Sequence, residues 1–276
     1  MTHPQPNPLC HAGSPAPLRV GSGTVLVHHL DATGSTNDLA RTWLTDHSAP
    51  VPAAWIAGIQ TAGRGTRGRS WASPVGGLWM SLAMPLGDRA SGVLPGLGLR
   101  VGLATLRAVR DALMKDTASR VLLRWPNDLV TTQPDEPVRK IGGTITEQAG
   151  PGIVVGIGLN VNKHPPATDD AGQPLRTPPV SLAQLAGHEL ALDRLAESIL
   201  DHLVRLIPVA GLPEDLFREI EGVLLRPDSP TRVTGRDGTE HRGIIRGLSI
   251  QPGALGGLLV DLPDGRTITV TGGDLS

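Results

Sequence analysis

Apolar and β-branched residues form a strand-like run over residues 24–30. Gly34-Ser35-Thr36-Asn37-Asp38 follows, and Leu39, Ala40, Trp43 and Leu44 then recur at helical spacing, so the segment predicts strand, cap and helix. Residues 54–60 make a second apolar run, which opens into a glycine- and arginine-rich loop, and residues 78–84 make a third. Across residues 97–114, Val101, Ala104 and Ala108 mark one face while Arg107, Arg110 and Asp111 lie elsewhere, the pattern of an amphipathic helix backing a sheet. Four more strand-like runs, residues 121–125, 129–132, 139–147 and 153–160, are separated by Pro126-Asn127 and by Gly150-Pro151-Gly152, and predict a meander.

A polar, proline-rich connection over residues 165–179 leads to helical patterns at 182–190, 192–207 and 214–225. In the middle one, Leu195, Ile199, Leu203 and Ile207 keep one face apolar. After Arg226-Pro227 the chain changes to short β-rich pieces with turn signals at Arg236-Asp237-Gly238 and Pro263-Asp264-Gly265. The expected organisation is therefore a tail over 1–20, a larger α/β domain over 21–226 and a small β-barrel over 227–276.

Composition narrows the function classes. With 39% hydrophobic and 18% charged residues the 276-residue chain is ordinary globular material, and no run approaches the roughly 18 apolar residues a membrane span needs. The proline-rich opening lacks the basic start and apolar core of a secretory signal and is expected to be disordered. The one cysteine, Cys10, lies in that tail, so neither a disulfide framework nor a cysteine metal site is expected, and a cytoplasmic setting fits. A net charge of -1 argues against a surface built throughout for nucleic acid and leaves anion binding to local patches. Only three basic residues are lysines, Lys115, Lys140 and Lys163, so a lysine inside a motif stands out.

The densest motif is Gly63-Arg64-Gly65-Thr66-Arg67-Gly68-Arg69-Ser70-Trp71, where glycines free the backbone and three guanidinium groups crowd together, a loop suited to an anion. Its glycines match the dinucleotide fingerprint G-x-G-x-x-G, but Pro74, Gly76 and Gly77 follow where that fingerprint requires a helix, and no Gly-Lys-Ser or Gly-Lys-Thr ending makes a P-loop. A solvated arginine loop or a nucleic-acid contact is the plain alternative. Arg124-Trp125-Pro126-Asn127-Asp128 brings cation, amide and carboxylate into one strand-to-strand turn, groups that suit phosphate and metal and equally suit a self-capped hairpin. Lys140-Ile141-Gly142-Gly143 sets a lysine beside glycines where a ligand can approach the backbone. Gly156-Ile157-Gly158-Leu159-Asn160 is weaker and reads alone as a close strand crossing. The histidines have no metal-ligand spacing, and no Gly-x-Ser-x-Gly elbow is present.

Taken in order, Ser35-Thr36-Asn37, the Gly63-to-Arg69 loop, Trp125-Pro126-Asn127-Asp128, Lys140-Ile141-Gly142-Gly143 and Gly156-Ile157-Gly158-Leu159-Asn160 resemble the motifs of biotin–protein ligases, with a further match at Thr271-Gly272-Gly273-Asp274-Leu275. The resemblance implies an α/β (α+β) catalytic domain similar to class II aminoacyl-tRNA synthetases, a mixed sheet with flanking helices, followed by an SH3-like barrel. It implies activation of biotin by ATP with Mg²⁺, and transfer to a lysine of a biotin carboxyl carrier protein. Ser35, Thr36, Asn37, Gln60, Gly63, Arg64, Gly65, Thr66, Lys140, Gly143 and Gly158 are then expected around biotin. Arg67, Arg69, Trp71, Arg124, Asn127, Asp128 and Asn160 are expected around ATP, with Asp128 as the candidate magnesium ligand or an aid to the incoming amine. Lys140 and Arg64 are the expected catalytic residues, Lys140 lying between the biotin carboxylate and the α-phosphate.

Two positions depart from the family pattern: Thr66 stands where a basic residue is usual, which predicts weaker adenylate retention, and Arg124 where lysine is common. The short opening leaves no room for the DNA-binding module that some members carry, so no DNA contact is expected, nor a membrane contact; the chain is read as monomer or homodimer. The competing readings are a lipoate–protein ligase, which shares the adenylate chemistry, and a biotin-sensing regulator without transferase activity.

Overall fold

The computed structural model describes residues 15–21, 23–46, 51–168, 172–251 and 255–275. An edge strand β1 (Ala16–Val20) turns into β2 (Gly23–Thr33), helix α1 (Thr36–Asp46) crosses to β3 (Ala53–Gln60), and β4 (Leu78–Pro85) returns antiparallel. Helices α2 (Ala90–Val93), α3 (Leu97–Asp111) and α4 (Lys115–Ser119) precede the meander β5 (Val121–Arg124), β6 (Asp128–Thr131), β7 (Arg139–Ala149) and β8 (Gly152–Leu159). These strands form one eight-stranded sheet, ordered β1-β2-β3-β4-β8-β7-β6-β5. Among the paired strands of this sheet only β2 and β3 run parallel, with α1 crossing between them; the sheet is mixed, as expected.

Helices α5 (Leu182–Ala186), α6 (Leu192–Leu206) and α7 (Glu214–Val223) follow, then β9 (Thr231–Gly235), β10 (Glu240–Leu248), β11 (Leu258–Asp261), β12 (Thr267–Val270) and β13 (Gly273–Leu275). The last five strands pair antiparallel in the order β12-β11-β10-β9-β13. Both expected turns are present, with Gly238 and Gly265 supplying the positive φ between β9 and β10 and between β11 and β12.

One expectation is corrected. Residues 16–20 were assigned to the tail but form β1, because Leu18 and Val20 alternate toward the core and the backbone pairs with β2 from Ala16↔Val27 to Val20↔Gly23. The rest of that tail, with Cys10, lies outside the described residues. The helix expected over 97–114 stops at Asp111, leaving Met114 exposed and starting the unforeseen α4.

The period of two along the central strands divides the sheet's faces. Leu78, Met80, Leu82 and Met84 of β4 and Ile153, Val155, Ile157 and Leu159 of β8 join one large core with α3 and α6. Opposite, Ala83 and Val154 pack with Ala40 and Leu44 of α1. The large core continues into the C-terminal sheet through Val233, Ile245, Leu258 and Val260.

Arg100 of α3 is fully buried without a carboxylate partner in any described hydrogen bond. Its guanidinium donates to backbone carbonyls instead, Leu206 at 3.0 Å, Pro95 at 2.7 Å, Val93, Ile207 and Gly211, so α3 is tied to the unsatisfied C-terminal carbonyls of α6. Burial lowers its pKa to about 10, still far enough above neutrality for the charge to persist. Among the described residues no single helix is long and apolar enough to cross a membrane.

Candidate active site

The site opens where the α1-covered face of the sheet loses its side chains. Along β8, Val154 lies under α1, but Gly156 and Gly158 come next on that face, and a cavity of about 560 Å³ forms over them. Both glycines are required by close approach. A Cβ at Gly156 would lie 2.3 Å from Asn37 Oδ1, and one at Gly158 would lie 2.7 Å from Trp71 Nε1.

At one end of the cavity the start of α1 meets β3 and β4. Gln60 Oε1 accepts from the Thr36 backbone N–H at 2.8 Å and from Thr36 Oγ1 at 3.0 Å, while Gln60 Nε2 donates to Ser73 Oγ at 3.0 Å. The Thr36 and Ser81 hydroxyls are 2.7 Å apart, and Ser81 Oγ donates to Asn37 Oδ1 at 2.5 Å. Ser35, Thr36, Asn37 and Ser81 are all buried, so this polar wall is held rigidly inside the protein. Ser81 was missed from sequence; its signal was a lone hydroxyl in the apolar run of β4.

The arginine loop folds back on itself. Trp71 N–H donates to Gly63 O and Gly65 N–H to Arg69 O, both at 2.8 Å, around a short 3-10 turn over Thr66–Gly68. Arg67 and Gly68 both take left-handed φ values there, 60° and 71°. Arg64, Gly65, Thr66, Arg69 and Trp71 line the cavity, but Gly63 and Arg67 do not. Gly63 instead packs behind the wall, where a Cβ would come within 2.4 Å of Trp71 O.

Carboxylates hold the loop's cations. Arg64 pairs with Asp38 of α1, which also contacts Arg41 at 2.7 Å, and Arg41 in turn holds both oxygens of Glu147 at 2.7 and 2.8 Å. The hydrogen bonds that Arg41 donates to Glu147 are the main reason that the Arg41 pKa is raised. Arg69 and Arg67 reach Asp274 of β13 at 3.3 and 3.7 Å, so the C-terminal strand arrives at the cavity rim. The Thr66 hydroxyl accepts from Arg69 Nη2 at 3.3 Å.

The turn between β5 and β6, which contains a cis Trp125-Pro126 bond, supplies the centre. Asp128 is buried; its Oδ1 lies 2.6 Å from Lys140 Nζ and its Oδ2 2.6 Å from Arg124 Nη2. Lys140 Nζ also sits 5.0 Å from the centroid of Trp71, over its ring. Asn127 is committed to backbone, its Nδ2 donating to Thr144 O at 2.7 Å. Gly143, Gly158 and Asn160 complete this part of the wall.

Asp128, the candidate magnesium ligand, lies between two protein cations. Both its oxygens contact cations, and among the described residues no group of three or more His, Cys, Asp or Glu side chains converges. Asp128 fixes the positions of Lys140 and Arg124.

The proline-rich connection, read from sequence as a plain linker, forms another wall. Pro178 O accepts from Lys140 N–H at 2.8 Å, Val180 N–H donates back to Lys140 O at 2.9 Å, and Thr177 Oγ1 accepts from Arg124 Nη1 at 2.7 Å. Leu175, Arg176, Thr177 and Pro179 all face the cavity. Composition carried no signal for this, since long-range pairing with β7 places the segment.

Among the described residues three buried side-chain polar atoms have no hydrogen-bond partner: His28 Nε2, Trp71 Nε1 and Asn160 Oδ1. Trp71 and Asn160 both line this cavity. Buried polar groups in folded proteins are nearly always paired, so these two atoms offer the cavity one unused donor and one unused acceptor.

Comparison with known proteins identifies the family. The model of the Biotin/lipoate A/B protein ligase family matches residues 30–163. The chain is 30% identical over 260 residues to the biotin--[acetyl-CoA-carboxylase] ligase of Mycobacterium tuberculosis, covering 94% of this chain and 91% of that one. The biotin protein ligase of Leishmania major, solved in complex with biotinyl-5-AMP, is similar with a TM-score of 0.59 and 27% identity, covering 88% of this chain and 97% of that one. The Aquifex aeolicus biotin protein ligase, solved with biotin and ATP, matches with a TM-score of 0.68 over 91% and 97% of the two chains; at 24% identity that likeness speaks to the fold.

Proposed function

Because the chain belongs to the biotin/lipoate A/B protein ligase family, we propose that it activates biotin with ATP and transfers it to a lysine of a biotin carboxyl carrier protein. In the first step a biotin carboxylate oxygen attacks the α-phosphorus, the bond to the bridging β-phosphate oxygen breaks, and pyrophosphate leaves. In the second the lysine amine attacks the acyl carbon, AMP leaves with the bonding electrons, and the nitrogen gives up a proton.

The observation that carries this reading is Lys140, whose ammonium lies over Trp71 and beside Asp128 in the cavity that also holds the Thr36, Asn37 and Gln60 wall. A point charge held there stabilises charge moving from carboxylate to phosphate. The hydroxyl and amide groups of Ser35, Thr36, Asn37, Gln60 and Ser81 suit the ureido ring of biotin, with Gly143 and Gly158 leaving room for it. Arg64, Gly65 and Thr66 serve the carboxylate end, while Arg69, Arg124, Asn127 and Asn160 serve ATP. Five cations and two carboxylates line the cavity, an excess that complements a nucleotide and an acid bound together. Magnesium belongs to the nucleotide phosphates in this scheme, as part of the substrate.

The same proposal includes a cytoplasmic setting and a division near residue 226. The region before it resembles the class II aminoacyl-tRNA synthetase core, and the region after it a small SH3-like barrel whose β13 brings Asp274 to the active site.

The test is pyrophosphate release from MgATP with biotin or lipoate as the acid, followed by addition of a carrier domain. Biotin-dependent release, lost in Lys140→Ala, and subsequent transfer to the carrier are expected. Release with lipoate alone would refute biotin as the substrate, and release without transfer would refute the ligase reading.

A further inference from the structure

The cavity's five cations are not equivalent. Arg64 is held by Asp38, Arg69 by Asp274, and Arg124 and Lys140 share Asp128. Each of these four thus contacts a carboxylate of the protein. Arg176 differs. It lines the same cavity, its residue is exposed, and among the described residues it has no carboxylate or hydrogen-bond partner.

Its position in the chain is set by its neighbours. Thr177 Oγ1 accepts from Arg124 Nη1, and Pro178 O accepts from Lys140 N–H. The next two residues therefore bind the guanidinium of Arg124 and the backbone of Lys140. This anchors Arg176 in the strap at the exposed rim of the cavity. Holding an unpaired guanidinium against a wall that already carries an excess of positive charge is unfavourable unless an anion arrives there.

We propose that Arg176 is an additional nucleotide-binding residue that engages the β- and γ-phosphates of ATP and holds pyrophosphate as it departs. This rests on the ligase reading above. An arginine presents paired donors that match two phosphate oxygens, and one at the exposed rim contacts the part of the nucleotide that must leave to solvent. Lys140 and Arg124, deeper and tied to Asp128, remain for the α-phosphate. The strap thus contributes a binding group as well as a wall, and a binding role separates kinetically from a structural one. A group that only braced the strap would disturb the biotin and ATP sites together, through Lys140.

The experiment is steady-state kinetics of biotin-dependent pyrophosphate release, with pyrophosphate as product inhibitor, for wild type, Arg176→Gln and Arg176→Lys. In Arg176→Gln the KM for ATP and the inhibition constant of pyrophosphate should each rise about tenfold, the loss of a charge-assisted contact, with the KM for biotin unchanged. Arg176→Lys should recover at least half of that loss on a logarithmic scale. Unchanged values for ATP and pyrophosphate in Arg176→Gln would overturn the inference, as would an equal rise in the biotin KM or no recovery with lysine. A wild-type protein that releases no pyrophosphate with biotin would instead overturn the ligase reading on which the inference stands.

Discussion

Replacing Asp128 by asparagine keeps the shape of the side chain and removes the one carboxylate between two cations. The contacts it would lose are both 2.6 Å, to Lys140 Nζ and Arg124 Nη2, and the side chains are 11%, 24% and 16% exposed for Asp128, Lys140 and Arg124. Removing one member of a buried ion pair costs about 3–5 kcal/mol, because the remaining charges lose their compensation. Partial exposure of the lysine allows some of that to be recovered from water, so a loss of about 3 kcal/mol is expected. For a protein of this size that corresponds to a fall in Tm of about 6–12 °C. Phosphate is the natural replacement for the missing anion, so saturating MgATP should stabilise Asp128→Asn more than it stabilises wild type. Turnover should also fall, by about 100-fold, since Lys140 and Arg124 lose the group that aims them. Differential scanning calorimetry with and without MgATP, together with single-turnover adenylation, tests both parts. A ligand-free Tm within 2 °C of wild type, or an ATP-induced shift no larger than that of wild type, would refute the reasoning.

Two further substitutions probe the walls. Thr66→Arg replaces a hydroxyl that accepts from Arg69 with a second guanidinium, and should slow escape of the biotinyl-adenylate about tenfold, measured by trapping the released intermediate; an unchanged release rate would show that Thr66 does not govern retention. Gly156→Ala puts a methyl 2.3 Å from Asn37 Oδ1 and 2.7 Å from Ile145 Cγ2, so Asn37 must leave Ser81; at about 1–3 kcal/mol for overpacking, the biotin KM should rise tenfold or more with the ATP KM little changed, and a normal biotin KM would count against the assignment of that wall.

The elements legible beforehand were those whose signal is local. The apolar face of α6, the caps and glycines of the C-terminal turns, and the meander from β5 to β8 all rest on spacing within a few residues, and each recurs in the structure within a few positions. Strand β1 was missed because five residues with two inward side chains are too short to show alternation against a proline-rich background. Of the expected site residues, Gly63 and Arg67 lie off the cavity wall: one packs behind the loop and the other turns toward Asp274. Ser81, Asp274 and the Arg176-Thr177 pair were not chosen in advance, because each acquires its place through a contact with a distant segment.

The amino-acid sequence by itself determined which chemical groups exist and the local conformations that present them: glycines where backbone must approach closely, arginines concentrated in one loop, and a lysine next to a glycine pair. Only the tertiary structure decided which charges neutralise one another. Asp128 became the shared partner of Lys140 and Arg124 because β6 and β7 pair side by side, and a linker became a cavity wall because residues 178–180 pair with Lys140. The physical reason is range. Helix and turn preferences act between neighbours in the chain, whereas ion pairs and sheet hydrogen bonds act between neighbours in space, which exist only once the core has brought the strands together.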